Sequence, residues 1–251
     1  MHRSELVSVL NDVLKPSQIR DFCPNGLQIE GKEHITKIVT GVTASQALID
    51  AAIAQQADAI IVHHGYFWKN EAYPITGMKK RRISALLKND INLFAYHLPL
   101  DIHPELGNNA QLAQLLDIDF EAGLESGSSP SVAVKGRLRT PMSAEDFSDK
   151  ITQVLNRPPL VSSVRNKPIE TIAWCTGGGQ GYIDLAAEQG IDAFLTGEAS
   201  EQTLHSSIEQ NIDFFAAGHH ATERYGIKAL GEYLASEYGF EVQFIDIDNP
   251  V

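Results

Sequence analysis

The sequence predicts an α/β fold built from two related lobes, and three observations predict it. The first is a recurrence. "KIVTGVTASQALIDAAIAQQADAIIVHH", residues 37–64, aligns without a gap on "TIAWCTGGGQGYIDLAAEQGIDAFLTGE", residues 171–198, at a constant offset of 134. Ile38/Ile172, Gln46/Gln180, Ile49/Ile183, Asp50/Asp184, Ala52/Ala186, Gln55/Gln189, Asp58/Asp192 and Ala59/Ala193 are identical pairs. Composition alone gives about one or two matches over such a length, so the chain contains an internal duplication. The second observation is the pattern inside each copy: apolar run, small-residue turn, helical spacing, apolar run. That is the strand–helix–strand unit of a parallel sheet. The third is an echo further on, where "NDINLFAYH" (residues 89–97) resembles "QNIDFFAAGHH" (residues 210–220). Each reads as another buried strand that delivers a histidine at its end.

In chain order, IVTGV (38–42) predicts a first parallel strand. Ala47, Leu48, Ala51 and Ala52 give the helix after it an apolar face. AIIV (59–62) predicts the next strand and INLFAY (91–96) a third. "HLPLD" follows, and Pro99 argues for an extended or turned segment there. "ESGSSP", residues 125–130, predicts a loop and a lobe boundary, dividing the chain into 1–125 and 126–251. Alternation of Val132, Val134 and Leu138 predicts a strand. Ser143 reads as the N-cap of a helix with acidic residues in its first turn. The second copy then repeats the first, with IAWCT (172–176), a helix bearing Ile183, Ala186 and Ala187, AFLT (193–196) and DFFAAG (213–218). Ile227, Leu230, Tyr233 and Leu234 predict a closing helix.

Composition narrows the function. Hydrophobic residues are 43% and charged residues 21%, as in ordinary globular proteins, and no apolar run is long enough to span a membrane. "MHRSELVSVLNDVL" lacks an apolar h-region with a cleavage site, which predicts no secretory signal. Two cysteines, Cys23 and Cys175, are too few for a disulfide framework or a thiolate zinc site. The expectation is a cytoplasmic protein. A net charge of −12 disfavours a nucleic-acid groove, and "KKRR" (79–82) reads as a solvated helix face. A small anionic substrate held by bound cations stays allowed, because the cations supply the local positive charge.

Ligands of such sheets collect at the carboxyl ends of the strands. The polar groups arriving there are His63 and His64 after AIIV, His97 and Asp101 after INLFAY, Glu198 after AFLT, and His219, His220 and Glu223 after DFFAAG. Adjacent strand residues point to opposite faces, so a working His63/His64 pair belongs where the strand stops. Imidazole nitrogens and carboxylate oxygens suit zinc, iron, manganese, cobalt or nickel, and paired ions about 3.5–4 Å apart are a hydrolytic device. Bland readings stand beside this one: core or surface histidines, a His97–Asp101 hydrogen bond, a His219–Glu223 ion pair at a helix start. Convergence of equivalent strand ends in two copies favours the metal. His2, His34, His103 and His205 lie off the pattern and read as ordinary. "CTGGGQG", residues 175–181, offers backbone N–H groups to an anion but matches neither dinucleotide nor P-loop motifs. Tight strand–helix packing is its plainer reading.

The stretches "PNGLQIEG", "IVTGVTASQALIDAA", "DAIIVHHGYFWK", "HLPLD", "GNNAQLA", "TGGGQGYID", "TGEASEQ" and "AAGHHATE" resemble the GTP cyclohydrolase 1 type 2 family, also called the NIF-three-like family of dinuclear metal proteins. The likeness covers nearly the whole chain and is closest to the short bacterial YbgI-type branch. It implies two interlinked α/β lobes with a metal site between them, and a toroidal homohexamer. It implies two divalent metal ions per subunit, with His63, His64, Asp101, His219 and Glu223 as ligands. His97 and Glu198 match family positions near the metals and are the candidate catalytic residues. Longer relatives carry an inserted domain for which this chain has no room. For this branch the resemblance suggests hydrolysis of an abnormal or damaged nucleotide, linked to protection against DNA damage. Three functions follow for test: a metal-dependent hydrolase acting on a small anionic or nucleotide-like substrate, a non-catalytic ring scaffold stabilised by metal, and a nucleotide-binding regulator using the GGGQG turn.

Overall fold

The computed structural model describes residues 1–127 and 130–251. In chain order the main elements are α1 (Arg3–Leu14), β1 (Gly26–Ile29), β2 (Lys37–Thr43), α2 (Gln46–Ala54), β3 (Ala59–His64), α3 (Gly77–Lys88), β4 (Asn92–Ala95) and α4 (Leu98–Ile102). There follow α5 (Asn108–Leu115), β5 (Ile118–Gly123), β6 (Val134–Met142), α6 (Ala144–Leu155), β7 (Leu160–Ser162), β8 (Ile169–Cys175), α7 (Ile183–Glu188), β9 (Ala193–Thr196), α8 (Glu201–Gln210) and β10 (Asp213–Ala216). α9 (His219–Tyr238) and β11 (Glu241–Phe244) close the chain. The fold is mixed α/β.

The chain forms two compact units. One comprises Met1–Leu106 with Gly226–Asp248, the other Gly107–Tyr225 with Asn249–Val251. The sequence suggests a single boundary at 125/126. The observed division differs because the chain returns: β11 joins the first sheet beside β2, and the later part of α9 packs in the first unit's core. The expected boundary loop includes positions 128 and 129, which lie outside the described residues.

In the first unit a sheet of order β1-β4-β3-β2-β11 has β2, β3, β4 and β11 parallel and β1 antiparallel to β4. Its faces follow the two-residue period of strands. Ile38, Ala59, Ile61, Phe94 and Tyr96 pack with Leu6, Leu10 and Leu14 of α1 and Ile227, Leu230 and Leu234 of α9. Val39, Ile60, Val62, Leu93 and Ala95 pack with Leu48, Ile49 and Ala52 of α2 and Ile83 and Leu86 of α3. The second unit carries a sheet of order β5-β6-β8-β9-β10-β7, in which β8, β9 and β10 are parallel. Ile172, Trp174, Leu195 and Phe215 meet α5 and α6 on one face, and Ala173, Phe194, Phe214 and Cys175 meet α7 on the other. Cys175 is therefore a small core residue.

The duplication is visible in register. β2 and β3 pair Ile38↔Ala59 through Gly41↔Val62, and β8 and β9 pair Ile172↔Ala193 through Cys175↔Thr196, which is the same alignment shifted by 134. Asp58 accepts the backbone N–H groups of Thr36 and Lys37, and its equivalent Asp192 accepts those of Glu170 and Thr171. A cation balances each: Lys32 on Asp58, Arg165 on Asp192. Identity at this position thus reflects one task, fastening the start of the first strand to the turn between the following helix and the second strand.

Local expectations mostly hold. Ser143 caps α6 by accepting from the Asp146 N–H. The segment after INLFAY differs: it is the short helix α4, with Pro99 in its first turn, where no intrahelical N–H is missed. Residues 79–82 lie on α3; Lys80 and Arg81 are exposed, while Lys79 pairs with Glu71 and sits over the Phe67 ring.

Candidate metal centre

His63 and His64 are the last two residues of β3, so the strand runs through the pair rather than stopping before it. Their rings lie 4.5 Å apart. His63 is fully buried, and its Nδ1 donates to the Tyr96 carbonyl at 3.1 Å. Its Nε2 lies 3.5 Å from Asp101 Oδ1. His64 Nδ1 meets the Thr43 hydroxyl at 3.1 Å. His97, the N-cap residue of α4, stands with its ring 5.1 Å from that of His63 and 5.8 Å from that of His64. Ring nitrogens of His63, His64 and His97 lie within 4.8 Å of one another, so this group can hold a metal ion. Trp68 packs edge-on against His97 and donates its indole N–H to the Gly65 carbonyl. Gly65 has no room for a side chain: a β-carbon there would lie 2.3 Å from Gln28 Oε1.

His97 and Asp101 are four apart, but the ring of His97 turns to Asp21, with Nδ1 2.7 Å from Oδ1. Cys23 also joins Asp21 and His97, a proximity the cysteine count does not foresee. Burial, then the Asp21 charge, pushes the Cys23 thiol up to about 12, so it stays protonated.

In the second unit, His219 begins α9 and Glu223 follows one turn later. His219 Nε2 lies 3.2 Å from Glu223 Oε2, and Nδ1 lies 2.7 Å from Glu198 Oε1. Glu223 is buried and Glu198 is partly exposed. Burial works against the charged form of His219, but the hydrogen bonds and charges of Glu223 and Glu198 outweigh it and raise its pKa to about 9. The glycine turn makes space for this pair. Gly177 has φ +65°, and a β-carbon on it would lie 2.0 Å from Glu223 Oε1. Its N–H goes to the Thr222 hydroxyl and that of Gly179 to the Thr196 hydroxyl, so these donors are spent within the unit rather than offered to an anion.

Three of these imidazoles share one arrangement. A carbonyl or carboxylate can only accept, so Nδ1 carries the hydrogen in His63, His97 and His219, which leaves the Nε2 lone pair of His63 and His97 available, while Nε2 of His219 faces Glu223. Asp101 and Glu223 are acidic groups at 5% and 2% exposure, where the ionised form is stable only beside a cation or hydrogen-bond donors. The donor set therefore fits divalent metal. Two of the histidines that read as ordinary have structural work: His2 caps α1 and His103 accepts from the N–H groups of Glu105 and Leu106. Sequence reading missed Asp21, Asn25 and Gln28, which brace this region from the segment before β1 and, for Gln28, from β1 itself. Asn25 and Gln28 do stand inside the "PNGLQIEG" stretch.

Among the described residues, no helix is long and apolar enough to cross a membrane. A model of the Duf34/NIF3 (NGG1p interacting factor 3) family matches residues 1–250. The chain is 65% identical over its whole length to a Haemophilus influenzae protein named "GTP cyclohydrolase 1 type 2 homolog", all of which is covered. Among solved structures it resembles the protein ybgI, described as of unknown function, with a TM-score of 0.97 and 53% identity over 100% of both chains. It also resembles a Thermus thermophilus protein, with a TM-score of 0.90 and 35% identity over 100% of both chains.

Proposed function

The chain belongs to the Duf34/NIF3 family, and from that membership we propose that it is a metal-dependent hydrolase. The ligands in this reading are His63, His64, Asp101, His219 and Glu223, holding two divalent ions drawn from zinc, iron, manganese, cobalt and nickel. The observation that carries it is the common commitment of Nδ1 to an oxygen acceptor in His63 and His219, the usual outer support of a metal-bound imidazole. Bound ions of this kind lower the pKa of a water toward neutrality and hold an anionic oxygen. The chain's own groups do the rest. His97 moves a proton, and Glu198 orients His219 and, being partly exposed, exchanges protons with solvent.

The substrate in this reading is small, anionic and nucleotide-like, in the class of abnormal or damaged nucleotides. A net charge of −12 favours such a molecule, carried by metal, over a polyanion groove. The working form is a ring-shaped cytoplasmic homohexamer, an inference from the family resemblance.

Elemental analysis of protein purified without added metal, paired with a phosphate- and ammonia-release screen on nucleotides, tests the reading. Metal-dependent turnover is the expected result. Glu223→Gln is expected to lose metal and turnover together, and retained metal with full activity refutes the ligand assignment. Loss of thermal stability on chelation, with no turnover on any substrate tried, supports the scaffold instead.

A further inference from the structure

Asp21 is held by four hydrogen bonds at the edge of the His63/His64/His97 group. Its side chain is 2% exposed. Oδ1 accepts the His97 Nδ1–H at 2.7 Å and the Phe22 N–H at 2.6 Å. Oδ2 accepts the Leu98 N–H and the Asn25 side-chain amide, both at 2.9 Å. Asn25 in turn accepts the His97 backbone N–H at 2.7 Å. The loop Asp21–Asn25 therefore grips His97 by main chain and ring together, across more than seventy residues of sequence. Both Asp21 oxygens accept N–H groups that can only donate, from Phe22 on one and from Leu98 and Asn25 on the other, so the carboxylate is an acceptor throughout and the shared proton sits on His97 Nδ1.

We propose that Asp21 is a positioning residue that fixes His97 as the Nδ1–H tautomer and presents its Nε2 lone pair beside His63 and His64 as a proton acceptor. The inference rests on the hydrolase reading for its chemical role but not for the tautomer. In the reaction, Nε2 takes one proton from the attacking water as the new bond to substrate forms. The imidazolium then returns that proton to the leaving group as the scissile bond breaks. Asp21 stays ionised throughout and stabilises the transient imidazolium through Nδ1–H. Trp68, packed edge-on against the ring with centroids 4.9 Å apart, keeps it from rotating away.

The test begins with the full-length, metal-free protein. Long-range ¹H–¹⁵N correlation of the histidine rings is expected to show His97 as Nδ1–H at neutral pH. An Nε2–H tautomer overturns the proposal, whatever the protein hydrolyses, and this measurement needs no variant. In Asp21→Asn the amide oxygen is kept by Leu98 and Asn25, so the NH₂ faces Nδ1 and the tautomer is expected to invert. In the metal-loaded enzyme that variant is expected to lose about 10²–10⁴-fold in kcat, with KM and metal content unchanged. Unchanged kcat overturns the proposal. So does loss of metal from the variant, because His97 would then be a ligand and not a proton acceptor. Absence of any hydrolase activity sinks the hydrolase reading and, with it, the acceptor role, while the tautomer stands on its own measurement.

Discussion

At Gly177 a single hydrogen atom in place of a side chain lets Glu223 reach His219. A methyl group there would lie 2.0 Å from Glu223 Oε1 and 3.1 Å from His219 Nε2, and the residue's φ of +65° adds strain for any other side chain. Glu223 cannot swing aside cheaply because it is buried and paired with His219. Gly177→Ala is therefore expected to fold but to lose about 1–3 kcal/mol in denaturant melts. Its metal content by elemental analysis should fall as well, and a variant with wild-type metal and stability would show that the carboxylate has another place to go. Individual residues were unevenly legible. The histidines and carboxylates at strand ends announced themselves because apolar runs end on them. Asp21 sits in "DFCPN", which has no periodicity, and its partner His97 is distant in the chain, so only folding brings the two together.

The paired strands explain why Asp58 and Asp192 are identical in the two copies. Each carboxylate gathers two backbone N–H groups at the head of a strand, and a cation lies against it. Burial opposes ionisation of Asp192, but backbone hydrogen bonds from Thr171 and Glu170, with the Arg165 charge, lower its pKa below 3.8, and Asp58 is lowered in the same way. A carboxylate depressed in the folded state contributes stability that is fully present above pH 3.8 and is lost as pH falls through the folded value. Asp192→Asn should cost about 1–3 kcal/mol at neutral pH and flatten part of the loss below pH 4, read from urea midpoints across pH. An unchanged acid limb would assign that loss elsewhere. Among elements, the strand–helix–strand repeats were readable because their period is strong. The three-residue β7 and the single turn of α4 were not: one is too short to show alternation, and the other hides behind Pro99, which a first turn tolerates.

For the molecule as a whole, the duplication gave two sheets, but the partition between units could not be read from a loop. Composition marks where a chain turns, whereas the unit boundary depends on where the last helix and strand return, and β11 pairs with β2 from the far end of the sequence. If the histidine and carboxylate sets bind divalent ions, the native state gains stability by mass action, about 2.7 kcal/mol at a hundredfold excess over Kd. Chelation should accordingly lower the melting temperature, and readdition of zinc, manganese or iron should restore it. A melting temperature indifferent to chelator would remove metal from the account of stability.

The hydrogen bonds at Nδ1 have one more consequence. Tyr96 and Glu198 hold the rings of His63 and His219 in place by their own hydrogen bonds. If these two histidines bind divalent ions, one cation could replace another without a rotamer change, and cellular supply would weigh in which element resides there.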